Sequence, residues 1–177
     1  MIKTITWLFS TIMVVITSLR ATQADESADE RQEILHEINA YWSEVSRSSG
    51  AGDFVAYSAT CHPQGVYVSE INQSIYPLSR ALEQWEPMFH DVRANRMQAA
   101  VAFRFSQRLH EPTSAHETGI FRFTSTADGE HTVRYVHFEA LIQKTHIGWQ
   151  MMLEHQKLAA TEAEWKALAP TINPRNR

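Results

Sequence analysis

The hydrophobic pattern changes its period near the middle of the chain, and this change limits the fold more than any other feature. In the first half, apolar residues recur at intervals of three and four, the spacing of one helix face, as at Ile34, Leu35, Ile38, Tyr41, Trp42 and Val45. In the second half they alternate with polar residues, the spacing of a half-buried strand, as at Ala99, Val101, Phe103 and Phe105. Helices followed by long antiparallel strands predict a segregated α+β domain whose sheet buries one face on the helices.

Capping residues mark the first two helices. The first is expected to run from a Ser-x-x-Glu capping box, Ser27 to Glu30, to about Gly50. Asp53 is the expected N-cap of a short second helix over residues 54–61.

Turn signals divide the rest of the chain. A strand is predicted over residues 65–70 and a third helix from Ser79, and Pro87 is expected to kink or divide that helix. Four strands are predicted in the second half, over residues 98–109, 118–125, 131–144 and 149–158. Asp128-Gly129 has the form of a type I′ hairpin turn, and a capping box at Thr161 predicts a terminal helical turn.

The first 24 residues have the three parts of a secretory signal peptide. Lys3 precedes an apolar run over residues 5–19, and a small-residue segment that ends at Ala24 follows. The run is shorter than the ~20 apolar residues that a membrane helix needs. We expect cleavage near Ala24 and a periplasmic or secreted protein. The mature chain would consist of an α+β domain over residues 25–158 and a helical extension over residues 159–177.

Charge and cysteine content argue against several classes of function. The net charge is −4 at pH 7, and loss of Lys3 and Arg20 with the leader makes it −6. A mildly acidic chain without a Lys/Arg cluster is a poor partner for nucleic acid or for a membrane surface, so we expect neither. Cys61 is the only cysteine. An intramolecular disulfide is therefore impossible, and apolar neighbours predict a buried thiol.

Four segments between Ile34 and His155 stand in a recognisable order. They are the aromatic pair Tyr41-Trp42, the helix start Gly52-Asp53, the strand Gly65-Val66-Tyr67-Val68, and the ending Gly148-Trp149-Gln150-Met151-Met152-Leu153-Glu154-His155. In this order they resemble the nuclear transport factor 2-like superfamily, which includes the SnoaL-like and ketosteroid-isomerase-like domains. The loop over residues 47–51, Pro87 and the terminal helix depart from the usual pattern of that superfamily.

The resemblance implies a fold and an assembly. The fold would be a cone-shaped, curved antiparallel sheet packed on three N-terminal helices, with a pocket at the open end of the cone and a short C-terminal helix added. The assembly would be a homodimer through the outer face of the sheet.

Candidate catalytic residues cluster on the last two predicted strands. Because side chains alternate along a strand, His137 and Glu139 share one face with Tyr135, and His155 shares one face of the next strand with Met151. If both faces point into the cone, Glu139 would hold an imidazole in a fixed tautomer as a base near neutral pH.

Other interpretations of this cluster stay open. Val136, Phe138, Ala140 and Ile142 form the more apolar face of the same strand. If that face is buried, His137 and Glu139 point outward. His137, Glu139 and His155 also offer two nitrogens and one oxygen to a zinc ion. With nine histidines in the chain, however, chance groupings are common. We therefore expect no metal and no cofactor.

The resemblance also implies a carboxylate base near the end of the first strand and a tyrosine on the first helix. The matching positions are Ser69 or Glu70, and Tyr41. The alternative for Glu70 is a solvent-exposed turn carboxylate beside Asn72, and the alternative for Tyr41 is a core residue.

The expected pocket wall is mainly aromatic. Its candidate ligand-binding residues are Tyr41, Trp42, Tyr67, Trp85, Phe89, Phe103, Arg122 and Tyr135. Arg122 would anchor an anion if it points inward, or cover apolar surface if it points outward. We expect an exported small-molecule-binding domain, with or without proton transfer of the isomerase or dehydratase type. The alternative is a non-catalytic dimeric interaction module or ligand carrier of the cell envelope.

Overall fold

Residues 6–170 are described by a computed structural model of the protein, with side chains from residue 29 onward. The helices are α1 (Thr6–Ala51), α2 (Phe54–Ala59), α3 (Leu78–Arg93) and α4 (Glu162–Ala167). The strands are β1 (Cys61–Ser69), β2 (Ser74–Pro77), β3 (Met97–Glu111), β4 (Ser114–Ala127), β5 (Glu130–Thr145) and β6 (Gly148–Ala159). The leader is predicted over residues 1–24, with cleavage near Ala24. The side chains of this segment lie outside the part of the chain whose side chains the structure describes.

A single curved six-stranded sheet forms the body of the domain, with strand order β2-β1-β6-β5-β4-β3. Only β1 and β6 pair in parallel; the remaining neighbours are antiparallel. The segregated α+β fold predicted from the change of period is confirmed. Between residues 29 and 170, no helix is long and apolar enough to span a membrane.

The inner face of the sheet packs on the N-terminal helices. Ile38 and Trp42 of α1 belong to the same buried cluster as Phe138, Ala140 and Ile142 of β5. The even-numbered side chains at this part of β5 therefore point inward, because they reach the helices. Burial of such apolar surface contributes roughly 25 cal/mol per Å² to folding.

Several local predictions are confirmed. Asp53 caps α2 by accepting a hydrogen bond from the Ala56 amide at 3.2 Å, and Thr161 opens α4 with the predicted capping box. Asp128 and Gly129 have φ angles of 53° and 80°, as a type I′ turn requires. The Cys61 thiol is buried and unpaired.

Four element predictions differ from the structure. The second helix, predicted over residues 54–61, ends at Ala59, and β1 begins at Cys61 rather than at Gly65. α1 begins before Ser27, whose side chain is not among those described. The short strand β2 was not predicted, because its four residues are too few to show a period. α3 continues through Pro87. Pro87 and Glu83 are both exposed, so water can solvate the Glu83 carbonyl that loses its helical donor.

A β-bulge changes the facing of residues along β3. Phe105 lies opposite Gly119, and Gln107 lies opposite the next residue of β4, Thr118, so Ser106 is an extra residue. An extra residue moves the side chains that follow it to the other face of the strand. Arg108 therefore points inward.

A second bulge has the same effect on β6. Met151 lies opposite Ile142, and Leu153 lies opposite Leu141, so Met152 is the extra residue. Glu154 lies opposite the inward-facing Ala140. Met151 and Glu154 consequently face the same side although they are three positions apart in the sequence.

The terminal helix α4 packs on the outer face of the sheet. The Trp165 ring lies 4.6 Å from the Arg104 guanidinium and 5.5 Å from that of Arg122. Arg104 also donates hydrogen bonds to the carbonyl oxygens of Trp165 and Leu168, both at 2.9 Å. α4 thereby covers part of the face opposite the helices α1–α3.

Candidate functional site

A cavity of about 670 Å³ lies between the inner face of the sheet and the helices. It opens where β1 and β6 end and β5 begins, because residues from these three strand ends line it. Its lining residues include Tyr57, Tyr67, Trp85, Phe89, Val101, Phe103, Phe123, Arg134, Glu154 and Gln156. Exposed apolar side chains of Ile71 and Val133 stand at the opening.

Aromatic rings form one wall of the cavity. The Tyr57 ring is 4.8 Å from Phe89 and 6.1 Å from Trp85, and the Tyr67 ring is 5.5 Å from Trp85. Most of these contacts are tilted or edge-to-face, the arrangement that aromatic pairs prefer. The wall joins α2, β1 and α3 into one surface that suits an apolar ligand.

Glu154 is the one carboxyl group among the described lining residues. The bulge at Met152 turns it inward, where it lies opposite Tyr67 on β1. Its Oε1 accepts a hydrogen bond from Gln156 Nε2 at 2.7 Å. Burial among apolar groups disfavours the charged form and raises the pKa of Glu154 to about 7.

Two phenols share the cavity with this carboxyl group. Burial, together with the nearby Glu154, raises the pKa of Tyr67 to about 12 and the pKa of Tyr57 well above its ordinary value. Both hydroxyls therefore keep their protons near neutral pH and can donate hydrogen bonds. A carboxyl group with a pKa near 7 can both take and give a proton at that pH.

Arg134 is the one basic side chain among the described lining residues. It is exposed near the opening, and its guanidinium lies 5.8 Å from the centre of the Phe123 ring. The cavity therefore has a cation at its opening and a titratable acid in its interior.

The structure places His137, Glu139 and His155 on the outer face of the sheet. On β5, Val136, Phe138 and Ala140 are buried against the inner side, so the residues between them point outward. On β6, the bulge reverses the facing that simple alternation predicts for His155, which pairs with Glu139. Of the two side-chain orientations that the sequence allowed for these strands, the outward one is present. The expected catalytic role of these residues has no support from the cavity.

His155 lies between two carboxylates on that outer face. Its Nε2 is 2.8 Å from Glu70 Oε1, and its Nδ1 is 3.6 Å from Glu139 Oε2. Lys157 donates a hydrogen bond to Glu139 at 2.8 Å, which lowers the pKa of Glu139. His137 Nε2 is 3.3 Å from Glu164 of α4, and so it is apart from this group.

Tyr41 and Trp42 lie in the core rather than at the cavity wall. The Tyr41 hydroxyl donates to the Thr60 carbonyl at 3.3 Å, and burial holds its pKa well above the ordinary value. The Trp42 indole donates to Glu117, whose carboxylate also accepts from Arg108. Helix α1 thus uses these two aromatic residues to anchor itself on the sheet.

Arg122 and Tyr135 differ from the expected inward orientation. Arg122 lies against Trp165 on the outer face, as its alternative interpretation held. Tyr135 borders the cavity, but its ring is 6.0 Å from Trp165 of α4. Five of the eight predicted wall residues line the cavity: Tyr67, Trp85, Phe89, Phe103 and Tyr135.

Sequence reasoning missed Glu154, Gln156, Tyr57 and Arg134. Glu154 follows an apolar alternation, Met151 and Leu153, that predicts an outward carboxylate. The bulge that reverses it has no Gly or Pro to signal it. Tyr57 could have been found, because it follows the Asp53 cap at helical spacing.

Among the described residues, no group of three His, Cys, Asp or Glu side chains has a geometry that could hold a metal ion. The zinc interpretation of His137, Glu139 and His155 therefore has no geometric basis.

Comparison with known proteins finds structural similarity only. No family model matches the sequence, and no curated protein matches it. An NTF2-like protein with a cystatin-like fold from Novosphingobium aromaticivorans is 15% identical with a TM-score of 0.55, over 85% of this chain and 94% of that chain.

Two further solved structures agree. A ketosteroid isomerase-like protein from Erwinia carotovora is 16% identical with a TM-score of 0.53, over 73% of this chain and 98% of that chain. A nuclear transport factor 2-like superfamily protein from Salmonella enterica is 11% identical with a TM-score of 0.55, over 75% of this chain and 95% of that chain. At these identities the similarity establishes the fold.

Proposed function

Since the chain has the nuclear transport factor 2-like fold, we propose that it is an exported domain that binds a small, mainly apolar molecule in the cavity. The cavity volume of about 670 Å³ is in the range of small-molecule sites, roughly 300–1,000 Å³. An apolar wall with few polar groups is also typical of such sites. The observation that most supports the proposal is Glu154, an inward carboxyl group with a pKa of about 7.

The same residue supports proton transfer as the reaction. The Glu154 carboxylate would take a proton from a carbon next to a carbonyl group, and the C–H electron pair would become the enolate. The Tyr57 or Tyr67 hydroxyl would donate a hydrogen bond to the enolate oxygen. Glu154 would then return the proton to another carbon, which completes an isomerisation, or to a leaving hydroxyl, which completes a dehydration.

Binding is tested with N-phenyl-1-naphthylamine, a neutral dye that fluoresces in apolar surroundings. We expect saturable binding of one dye per chain. Val101→Trp, which places a large ring at the cavity wall, should weaken binding by roughly tenfold or more. The matched control is Thr124→Trp on the outer face of the neighbouring strand, which should leave binding unchanged. An absence of binding, or equal losses in both variants, would refute the proposed site.

Proton transfer is tested by deuterium exchange next to the carbonyl of 2-tetralone, followed by NMR in heavy water. We expect the protein to accelerate exchange and Glu154→Gln to remove the acceleration while dye binding persists. If Glu139→Gln rather than Glu154→Gln removed the accelerated exchange, the chemistry would belong to the outer face instead. Dye binding without any accelerated exchange would refute the proposed proton transfer and leave the binding proposal standing.

Export is proposed from the leader alone, with its basic start and apolar run over residues 5–19. Amino-terminal sequencing of the soluble protein is expected to give Asp25 as the first residue. Recovery of the protein with Met1 in place would refute export.

A further inference from the structure

We propose that the ligand of the cavity is an amphipathic organic acid with a single negative charge, held by Arg134 at the opening with its apolar part inside. This inference rests on the proposed function, because it names the chemical class of molecule that the cavity would bind. It comes from the placement of the two charged groups that line the cavity, Arg134 and Glu154.

Among the described residues, Arg134 has no carboxylate partner of the kind that three other arginines have. Arg47, Arg96 and Arg108 each donate to a carboxylate. Among the described residues, the contact of the Arg134 guanidinium is the Phe123 ring. The ring supports a cation on its face and leaves the planar edge of the guanidinium free. That edge can bind a carboxylate or sulfonate through two parallel hydrogen bonds.

The register of the strands keeps Arg134, at the opening, well apart from Glu154, in the interior of the cavity. Glu154 lies opposite Ala140, and Arg134 comes six residues before Ala140 on β5. At ~3.3 Å per residue, the two Cα positions are about 20 Å apart along the strand. The two charged groups therefore act on different parts of a ligand.

This separation fixes the orientation of a charged ligand. An anion beside Glu154 would suffer desolvation and, near neutral pH, repulsion from the carboxylate. At the opening the same anion would meet Arg134 and solvent. Ile71 and Val133 border the opening with exposed apolar side chains, so the part of the ligand next to its acid group also contacts apolar surface. The site thus fits an acid group followed by an apolar body.

Two dyes with the same aromatic body separate this inference from the proposed function. N-phenyl-1-naphthylamine is neutral, and 8-anilinonaphthalene-1-sulfonate has the same rings with one sulfonate. We expect the wild-type protein to bind the sulfonate more tightly than the neutral dye. Arg134→Gln should weaken binding of the sulfonate dye by roughly tenfold and binding of the neutral dye by less than about twofold, because only the charge pairing is lost.

A second arginine supplies the control. The Arg80 guanidinium lies 5.2 Å from the Tyr76 ring, a setting like that of Arg134, but Arg80 does not line the cavity. Arg80→Gln should change neither affinity, and Val101→Trp should weaken both. Equal effects of Arg134→Gln on the two dyes, or tighter binding of the neutral dye, would overturn the inference and leave the proposed function standing. Failure of both dyes to bind the wild-type protein would overturn both. Sulfonate binding that survives Val101→Trp would locate it outside the cavity and overturn the inference.

Discussion

At the residue scale, the cost of keeping Glu154 in the cavity depends on pH. An unfolded chain has a Glu pKa of 4.5, and the folded value is about 7. As pH rises from 4.5 to 7, the unfolded chain gives up this proton while the folded chain keeps it, so the free energy of unfolding falls. The loss is about 3 kcal/mol at most, because a pKa difference of one corresponds to about 1.4 kcal/mol. Water in the open cavity makes this loss of unfolding free energy smaller.

Glu154→Gln removes this dependence, because an amide does not titrate. We expect the variant to be as stable as the wild type at pH 4 and more stable by about 1–3 kcal/mol at pH 8. Urea unfolding of both proteins at the two pH values measures the difference. The same difference at pH 4 and pH 8 would mean that Glu154 does not titrate as the structure indicates.

Glu139 offers a control of opposite sign on the same sheet. Its hydrogen bond from Lys157 lowers its pKa, so its contribution is present above the unfolded value and is lost as pH falls. Glu139→Gln should therefore destabilise the protein at pH 8, by no more than about 1 kcal/mol because the pair is partly exposed. Near pH 3 the two proteins should be alike.

At the scale of elements, the bulges at Ser106 in β3 and at Met152 in β6 decide the facing of the side chains that simple alternation misplaces. Alternation predicts Leu109 inward and Arg108 outward, yet Leu109 is 55% exposed and Arg108 reaches the fully buried Glu117. The bulge at Ser106 explains this reversal. The bulge at Met152 does the same for Glu154 and His155. Period and capping thus predicted the strands and helices, whereas the facing of residues beyond each bulge depended on pairing that the sequence does not display.

The candidate site could be predicted only where no bulge intervenes. Trp85 and Phe89 lie on α3, and Phe103 lies before the bulge in β3. Tyr67 lies in the part of β1, Val66 to Ser69, that pairs regularly with β6, and all four residues line the cavity. His155 comes after the bulge and lies on the opposite face. A polar residue at the extra position, such as Ser106, looks like any other outward residue. The core aromatic pair Tyr41-Trp42 was misplaced for a different reason, since a helical stripe does not show where along the sheet each residue packs.

Gly119 is the residue that permits the bulge in β3. A Cβ atom at this position would lie 2.1 Å from the Arg104 carbonyl oxygen and 2.9 Å from the Phe105 Cα, both of them backbone atoms. Gly119→Ala should therefore destabilise the domain by about 2 kcal/mol or more, because two paired strands must separate.

Gly50→Ala is the matched control. Its nearest neighbour would be the Ala99 carbonyl oxygen at 3.5 Å, so we expect no loss or a gain of about 0.5–1 kcal/mol. Thermal unfolding followed by circular dichroism compares the two, and equal effects would contradict the close approach of the strands.

At the scale of the whole molecule, the outer face of the sheet has two unlike parts. α4 covers one part through Trp165. The other part has a row of paired residues that crosses five strands: Val66, Leu153, Leu141, His116 and Leu109. Leu141 at its centre is 39% exposed, and Leu109 at its end is 55% exposed. The neighbouring row includes Glu139, which pairs with Lys157, so both charge signs lie beside the apolar row.

We propose that this uncovered part of the outer face pairs with a second copy of the chain. A two-fold axis at this row would bring the apolar residues of the two copies together. The expected interface buries roughly 1,200–2,000 Å² in total, the usual size for a specific complex. Light scattering after gel filtration at micromolar concentration should give the mass of a dimer.

Leu141→Lys, which puts a charge at the centre of the row, should give a monomer with an unchanged affinity for the neutral dye. Ile147→Lys changes an equally apolar side chain, 62% exposed in the turn before β6, and should remain a dimer. A monomeric wild type, or a dimer that survives Leu141→Lys, would contradict assembly through this face, because a desolvated lysine without a partner at the centre of an interface costs several kcal/mol.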